Sequence, residues 1–546
     1  MLAQVRFVNL TCSELAARYM CTTAEQVTSG RAQKAAYYKQ IAQSQIEKDE
    51  KPAGWDSAKP YSQVPGPKPV PILGNLWRFL PVIGTYDGLD MLTQHKRLHE
   101  EYGPIAKLSG MKLRPDMVVL FDPNDIEMMH RNEGVWPHRD GLQSIIYYRL
   151  KVRNDIFQGQ GGVLTSHGEK WFETRSVVNP PLMQPRSAHK YISTVDTVTQ
   201  EFIERIDYLL SKNSQGEMPE DFQNELARWA LESICVIGLN KHLGLLNKNI
   251  SSDSPEQVFI NDVLELFVLM NELDIKVSFW KIISTPTWRK YVKILDRVVE
   301  FQQKTIDEAL TKLKEMESVE KSQADLSILE QLLQKDKKIA FAMIFDMLMA
   351  GIDTTSRTTG AALYFLAKNQ QAQERLRAEV RQFLPNKDTP ITKEALNEMR
   401  YLKAVIKETT RMAPIGTGNF RRLPKDLVLA GYQIPRGVDV ISANLVLSFQ
   451  DKYFMRAKEF IPERWMKDEK EQYTSKDANP FVSLPFGFGP RSCVGRRLAQ
   501  MELEIILAKI ARNYTWTWPH EDMKWVNDLL YGVGSPLKYH MKPLAE

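Results

Sequence analysis

The dominant hydrophobic pattern along this chain is helical. Residues 195 to 320 carry long amphipathic runs such as Trp288 to Met316. A long and mostly apolar segment follows around Phe341 to Leu366, and a further helix-like segment begins at Arg496. The pattern predicts a mostly α-helical protein.

Strand-like patterns are short and few. Residues 102–108 and 116–122 resemble two short strands with a turn between them. Residues 426–435 alternate around an Ala-Gly pair and predict a hairpin. The chain is therefore expected to hold a small β region beside its helices.

The first 75 residues differ from the rest. Residues 1–46 carry two glutamates against five basic residues, Arg6, Arg18, Arg31, Lys34 and Lys39. This composition is typical of an amphipathic mitochondrial targeting segment, and a disordered soluble tail is the alternative for the same residues. Residues 47–75 include the run Val-Pro-Gly-Pro-Lys-Pro-Val-Pro, which is too rich in proline for a helix and predicts an extended lead-in.

Composition and charge exclude several classes of protein. The 546 residues are 43% hydrophobic and 25% charged, as in ordinary globular proteins, and the length alone suggests about three domains. The four cysteines show no paired spacing, which argues against a disulfide framework or a zinc site. A net charge of +5 does not imply nucleic acid. No run of about 18 apolar residues stands out, so no membrane-spanning helix is expected.

The strongest chemical signal is the loop Phe486 to Gly495, which reads Phe-Gly-Phe-Gly-Pro-Arg-Ser-Cys-Val-Gly. It places Cys493 just before a helix, where free amide N–H groups and the helix dipole favour a thiolate. Gly489 and Gly495 are expected to let the backbone approach the sulfur, Phe486 to offer an apolar wall, and Arg491 to supply a cation. This set suits an axial thiolate ligand to haem iron. A structural cysteine in a turn is the alternative for a lone cysteine.

The spacing Phe-x-x-Gly-x-Arg-x-Cys-x-Gly resembles the haem-binding loop of the cytochrome P450 superfamily, the haem-thiolate monooxygenases, at every position of that signature. The resemblance implies the P450 fold, haem b as the cofactor and Cys493 as its iron ligand. Trp171-x-x-x-Arg175 is similar to the superfamily's propionate-binding pair, and Arg421 and Arg491 correspond to its other propionate-binding positions.

Two further motifs extend the resemblance. Ala350 to Thr355 is similar to the oxygen-activation motif, which implies that Asp353 and Thr354 deliver protons. Glu408, Arg411 and Arg464 resemble the superfamily's Glu-Arg-Arg cluster, whose implied role is to hold the cysteine loop in place.

Four basic residues indicate the electron donor. Lys403 and Lys407 share one helix face, and Arg496 and Arg497 follow the cysteine loop. A solvated face is the alternative. Their surroundings are similar to the mitochondrial branch of the superfamily, which implies binding of a two-iron ferredoxin, itself reduced by an NADPH-dependent reductase. Residues 179–185 and 350–356 look most like insect members of that branch.

The same resemblance implies a location on the matrix side of the mitochondrial inner membrane. Residues 277–288 form an apolar, irregular stretch that corresponds to a loop dipping into the membrane in this superfamily. Ordinary packing between helices is the alternative for this stretch.

The sequence therefore predicts a monooxygenase that inserts one oxygen atom into a lipophilic substrate, with residues 76–546 as a single haem-binding unit. A haem-thiolate isomerase or dehydratase and a non-catalytic haem protein are the rivals. The substrate is open between steroids and foreign lipophiles, and the insect resemblance favours detoxification. The candidate pocket walls are 136–165, Phe345, Met349, Ile415 to Asn419 and Val533.

Overall fold

The computed structural model describes residues 51–545 apart from Pro81, 111–114, Ser214, Val277, 316–325, 467–474, Lys476 and Ser535. The predicted targeting segment 1–46 and the first four residues of the lead-in lie outside this part of the chain.

Helices account for most of the described residues. The α-helices are α1 Met91–Tyr102, α2 Pro123–Arg131, α3 Gln143–Tyr147, α4 Asn154–Phe157, α5 Gly162–Thr165, α6 Gly168–Met183, α7 Pro185–His189, α8 Ile192–Lys212, α9 Phe222–Leu239, α10 Pro255–Met270, α11 Pro286–Glu315, α12 Ile328–Leu333, α13 Lys337–Lys368, α14 Gln370–Phe383, α15 Lys393–Glu398, α16 Arg400–Met412, α17 Asn444–Ser448 and α18 Arg496–Asn513. One-turn π-helices follow α3 at Tyr148–Val152 and α10 at Asn271–Ile275. Short 3-10 helices occupy Tyr61–Gln63, Asn75–Phe79, Pro462–Trp465 and Pro480–Val482.

The strands are short and form four small sheets. They are β1 Ile105–Leu108, β2 Met117–Leu120, β3 Asn419–Arg422, β4 Leu427–Leu429, β5 Tyr432–Ile434, β6 Asp439–Ser442, β7 Tyr514–Thr517, β8 Trp525–Asp528, β9 Leu530–Val533 and β10 His540–Pro543. The largest sheet has the order β1-β2-β6-β3, in which β2 and β6 are parallel and the other pairs antiparallel. β4 and β5 form the predicted hairpin around Ala430 and Gly431, which both have positive φ. The predicted α-rich architecture with a small β region is confirmed.

Helix α13 is the central element of the helical core. It packs against α9, and the close approach is made at Gly351, where an added Cβ would lie 3.2 Å from Ile234 of α9. The helix-disfavouring Gly351 therefore has a packing reason. α13 also contacts α16 and α18, so it touches both helices that support the cysteine loop.

One helix has the length and the apolar composition of a membrane span, which the sequence pattern did not indicate. Among the described residues, α13 alone is long and apolar enough to cross a bilayer. However, 78% of its most apolar window is buried inside the protein, as in the core helix of a large domain.

Candidate functional site

The cysteine loop is a tight turn closed by its own backbone. The Cys493 N–H donates to the Phe486 carbonyl oxygen at 2.9 Å, and the Ser492 N–H donates to that of Gly489 at 3.1 Å. Helix α18 begins three residues after Cys493, with Gly495 as its N-cap. Cys493 is exposed although Arg491 and Leu498 on either side are buried. Its side chain therefore faces open space within a closely packed region.

The electrostatics of Cys493 differ in part from the sequence argument. Its side chain is open on one face, but protein atoms surround the sulfur elsewhere, and this desolvation is the largest influence and raises the pKa of its thiol, while the Gly495 N–H and the guanidinium groups of Arg175, Arg139 and Arg496 lower it. The predicted helix-start environment is present but is outweighed by burial. A coordinating metal would deprotonate such a group outright.

Of the two glycines, only Gly495 approaches the sulfur. An added Cβ at Gly495 would have Cys493 Sγ as its nearest neighbour at 4.0 Å. Gly489 serves a different purpose, because its φ is +71° and an added Cβ would lie 2.2 Å from Glu133 Oε1. Phe486 packs under the Arg496 guanidinium at 5.6 Å, so it joins the loop to the start of α18.

Trp171 and Arg175 lie together on α6 and are 1% and 6% exposed. Arg175 Nη2 donates to the Ser492 carbonyl oxygen at 2.8 Å, which ties α6 to the cysteine loop. Trp171 Nε1 and Arg175 Nε are buried and have no hydrogen-bond partner among the described residues. Two such donors, one helical turn apart, fit an anionic acceptor supplied by a bound group.

Arg491 is engaged differently from the sequence expectation. Its Nε donates to the Pro137 carbonyl oxygen at 2.9 Å and its Nη2 to that of Ser166 at 2.8 Å. Its guanidinium also lies 4.1 Å from the centre of the Trp171 ring. Arg491 therefore fastens the cysteine loop to residues 137–166 and holds the Trp171 indole.

Arg421 on β3 also has internal partners. It forms an ion pair with Glu133, a buried residue that the sequence argument missed, and its Nη2 donates to the Phe488 carbonyl oxygen at 3.3 Å. Glu133 lies in the turn after α2, far from Arg421 in the sequence. The pair explains why position 489 in the cysteine loop is glycine.

Four arginines converge near Cys493 and repel one another. Burial and neighbouring guanidinium groups lower the pKa of Arg491 to about 9 and that of Arg139 to about 10, and burial lowers the pKa of Arg175 to about 10. Of Arg139, Arg175, Arg421 and Arg491, only Arg421 has a carboxylate partner among the described residues. Such a surplus of buried cations fits a ligand with two carboxylates, as haem b has. Arg139 was not singled out from the sequence, because it lies in none of the motifs described above.

Helix α13 presents one open face to this region. Between Ala342 and Ala367, all described, every residue is buried except Ala350, Gly351 and Thr354. The three lie on adjacent turns of one face, where small side chains leave room for a flat group. Thr354 Oγ1 donates to the Ala350 carbonyl oxygen at 2.7 Å. Its hydroxyl therefore borders the open space while its proton is held by the helix.

Asp353 lies on the buried side of the same helix and is 1% exposed. Its Oδ1 accepts from Arg357 Nε at 2.8 Å, one turn further along α13. The structure thus brings Thr354 to the open face and places Asp353 in an interior ion pair. Arg357 was missed, although the i, i+4 spacing could have indicated it.

Helix α13 and the cysteine loop are joined at a point beside this face. Asp346 Oδ2 accepts from the Val163 N–H at 3.1 Å, and the Val163 carbonyl oxygen accepts from Arg491 Nη1 at 3.4 Å. Asp346 also pairs with the fully buried Arg149 at 2.7 Å. Gly162 is required there, because its φ is +77° and an added Cβ would lie 2.5 Å from Asp346 Oδ2. Gly162 is therefore held in a tight turn beside Asp346.

A hydrogen bond between α13 and α18 forms a second connection between α13 and the region of the cysteine loop. Glu502 is 3% exposed, and Thr355 of α13 hydrogen-bonds its carboxyl group. Burial raises the pKa of Glu502 to about 8. A neutral carboxylic acid thus links the helix that carries Thr354 to the helix that follows Cys493.

Three of the predicted pocket-wall residues are buried in the core. Phe345 and Met349 are at most 1% exposed, and Phe345 packs edge-on against Phe157. They therefore belong to the core, because the residues of α13 that are not buried between Ala342 and Ala367 are Ala350, Gly351 and Thr354. Val533 is also buried, against Gly360 of α13.

Glu408, Arg411 and Arg464 form one buried cluster. Both Arg411 nitrogens Nε and Nη2 donate to the Glu408 carboxylate at 2.8 and 2.7 Å, and Arg464 Nε donates to Glu408 Oε1 at 2.9 Å. Trp465 Nε1 donates to the same carboxylate at 2.9 Å. The expected grouping is present with its charges satisfied.

The basic residues gather around a groove of about 180 Å³. Lys403 and Arg497 line it together with Lys393, a residue that the sequence argument missed. Lys407 and Arg496 are exposed on the adjoining elements α16 and α18. We call these five residues the basic patch.

Comparison with known proteins gives a consistent result. The Cytochrome P450 family model matches residues 64–541. The chain is 39% identical to "Cytochrome P450 CYP12A2" of Musca domestica, over 89% of this chain and 91% of the relative. It is 37% identical to "Probable cytochrome P450 301a1, mitochondrial" of Drosophila melanogaster, over 89% and 88%. It is 38% identical to "Probable cytochrome P450 12a5, mitochondrial" of the same fly, over 89% and 91%.

Proposed function

Because the chain belongs to the cytochrome P450 family, we propose that it is a mitochondrial monooxygenase that receives electrons from a ferredoxin and oxidises a lipophilic substrate. The family makes it a haem-thiolate oxidoreductase with haem b as its cofactor. The observation that carries the proposal is the open Cys493 beside Trp171 and Arg175, whose buried Nε1 and Nε atoms have no hydrogen-bond partner among the described residues.

Different residues around this space would bind different parts of the haem. Bound haem supplies the oxygen-activating iron chemistry. Cys493 would ligate the iron, and the exposed, small Ala350 of α13 would leave room for the haem ring. Trp171 Nε1 and Arg175 Nε are the donors left for a propionate, since each lacks another partner among the described residues.

Thr354 is the group that we assign to proton delivery at the open face. Its hydroxyl donates to the Ala350 carbonyl oxygen, so its lone pairs can accept a hydrogen bond from a water molecule at the open face, and Thr354 can pass on its own proton only after that helix hydrogen bond is released. Asp353 is the second member of the proposed relay. Its pairing with Arg357 through Oδ1 fixes the position of its carboxylate beside Thr354 in the sequence.

The basic patch is the proposed ferredoxin surface. It lies at the start of α18, on the side of the molecule where Cys493 is held, so an acidic partner there is close to the thiolate. Charge complementarity of this kind raises the rate of association more than it raises affinity.

The apolar loop after the second π-helix supports contact with a membrane. Phe279, Ile282 and Ile283 are 51%, 70% and 65% exposed, while Trp280 is buried and stacks on Trp288 with ring centres 4.5 Å apart. The loop thus combines interhelical packing with an apolar exterior, which suits peripheral insertion. With relatives named mitochondrial, we propose the matrix side of the inner membrane.

We further propose that residues 76–546 act as one catalytic unit. Glu133, Thr354 and Cys493 come from three distant parts of the chain and surround one site. Residues 1–46 are the proposed targeting segment.

The test is reconstitution of the haem-loaded protein with a two-iron ferredoxin and its reductase, followed by a screen of steroids and insecticides under ¹⁸O₂. We expect a product that carries one ¹⁸O atom and forms only when ferredoxin is present. A product formed without electrons would instead establish the isomerase or dehydratase. Reduction without any product across the panel would favour a carrier.

A further inference from the structure

A second cluster of ligand-type side chains lies on the surface, on elements remote in sequence from the cysteine loop. Glu217 precedes α9, His520 follows β7, and His540 begins β10. Their ligand atoms all lie within 4.8 Å of one another. From this geometry we propose that Glu217, His520 and His540 form a zinc site.

The distances between the ligand atoms favour a metal over hydrogen bonds. His520 Nε2 lies 3.7 Å from Glu217 Oε1, and His540 Nε2 lies 3.5 Å from Glu217 Oε2. Both are longer than ordinary N–H···O hydrogen bonds of about 2.9 Å. Ligands of tetrahedral zinc, with bonds of about 2.0–2.2 Å, are about 3.3–3.5 Å apart, so a small closure of the three side chains completes the geometry.

The two imidazole rings are oriented so that both can reach one ion. Their centres are 6.0 Å apart and their planes cross at 63°. In both histidines Nε2 is the nitrogen that lies near the Glu217 carboxylate, and two histidines with one glutamate are the ligand set of open zinc sites. His520 Nε2 now lies 3.0 Å from the Lys538 carbonyl oxygen, so metal binding requires the ring to carry its proton on Nδ1.

A contrasting cluster shows what such a site requires. His138, Asp140 and His167 also hold three ligand atoms close together. However, the two rings stack with centres 4.3 Å apart and planes only 22° from parallel. Imidazole lone pairs lie in the ring plane, so stacked rings cannot direct both at one ion. Arg422 already pairs with Asp140, and that cluster is not proposed as a metal site.

The surface cluster is open to solvent and has little competing positive charge. The side chains of Glu217, His520 and His540 are 24%, 36% and 32% exposed. Lys538, the neighbouring cation, pairs with Glu220. Imidazole and carboxylate ligands together suit Zn²⁺ over the hard cations Mg²⁺ and Ca²⁺.

Zinc there would fasten the C-terminal strand to the core. His540 and Glu217 already face each other in an isolated β-bridge, and Tyr539 Oη donates to the Gly360 carbonyl oxygen of α13 at 2.7 Å. The ion would thus join three chain segments at the end of the sheet formed by β7 and β10. Since the unfolded chain lacks this arrangement, binding should stabilise the folded protein.

The experiment is titration of the haem-loaded full chain with ZnCl₂, followed by calorimetry, thermal unfolding and X-ray absorption at the zinc edge, which is separate from the iron edge. We expect one zinc ion with two nitrogen ligands from imidazole and a raised melting temperature. His540→Ala and Glu217→Gln should each weaken this binding by about 100-fold or more, because loss of a direct ligand exceeds the 10–100-fold loss typical of an outer-shell change.

His242→Ala is the matched control, because it removes a partly exposed histidine paired with Glu232 elsewhere on the surface. Its zinc affinity should equal that of the original protein. The proposal is overturned if the two cluster variants bind zinc as tightly as the original, or if the absorption spectrum shows only oxygen or sulfur ligands. The carbon-monoxide spectrum should be unchanged in every variant, which separates this result from failure of the haem site.

Discussion

The raised pKa of Glu502 predicts how the free energy of unfolding depends on pH. Its carboxyl group is buried between α18 and α13, and its pKa is raised from 4.5 to about 8 by burial. The folded protein therefore holds this proton between about pH 4.5 and 8, where the unfolded chain has already released it. In that window the folded state binds more protons, so its stability falls as the pH rises.

The magnitude of this pH dependence follows from the difference of one bound proton between the folded and unfolded states. The free energy of unfolding should fall by about 1.4 kcal/mol for each pH unit across the window, with smaller slopes at its edges. Glu502→Gln removes this contribution, because a glutamine is neutral at every pH and can still accept from Thr355. The variant should therefore be less pH-dependent, and its advantage over the original should grow towards pH 8.

The assay is thermal or denaturant unfolding of the haem-loaded protein from pH 5 to 8.5, together with infrared detection of the protonated carboxyl group. Glu504→Gln is the comparison, since burial raises the pKa of Glu504 only to about 7. That change should alter the slope below pH 7 and leave it intact between 7 and 8. Equal slopes in the original protein and in Glu502→Gln, with no carboxyl band titrating near pH 8, would refute the reasoning.

Four further outcomes follow from the site and its supports. Cys493→His should abolish the thiolate-type absorption band of the reduced carbon-monoxide complex, and a retained band would show that another residue is the ligand. Thr354→Ala should keep haem and accept electrons but release more hydrogen peroxide per product, with Thr354→Ser recovering the coupling. Lys407→Glu should slow reduction by ferredoxin and lessen its salt dependence at about 0.15 M, where the screening length is about 8 Å, without changing the carbon-monoxide spectrum. Gly162→Ala should lower the free energy of unfolding by about 1–3 kcal/mol, whereas Gly159→Ala, which has a similar positive φ but open space around it, should cost less.

Local sequence was sufficient for the helical architecture and for the main groups of the site. Cys493, Trp171 with Arg175, and Glu408 with Arg411 are each defined by short spacings within one element, and such spacings can be read without a structure. Gly351 was also interpretable, because a glycine inside an apolar helix implies close packing, which Ile234 provides.

Partners from distant segments were not predictable. Arg421 was assigned to a propionate, but its nearest anion is Glu133, which enters from the turn after α2. Arg491 was given the same role, although the carbonyl groups of residues 137–166 take up its donors. No periodicity or motif relates these positions, because only the folded chain brings them together.

The pairing of β2 with β6 limits the order in which this protein can fold. β1 and β2 are neighbours in the chain, whereas Met117 of β2 meets Asp439 of β6, which is made after most of the helical body. Parallel contacts over such a separation form slowly. Until they form, β2 exposes an apolar edge of Val118, Val119 and Leu120, which invites pairing with other chains. β3, with Arg421, can join the sheet only after β6 has arrived, because β6 is its partner in the sheet.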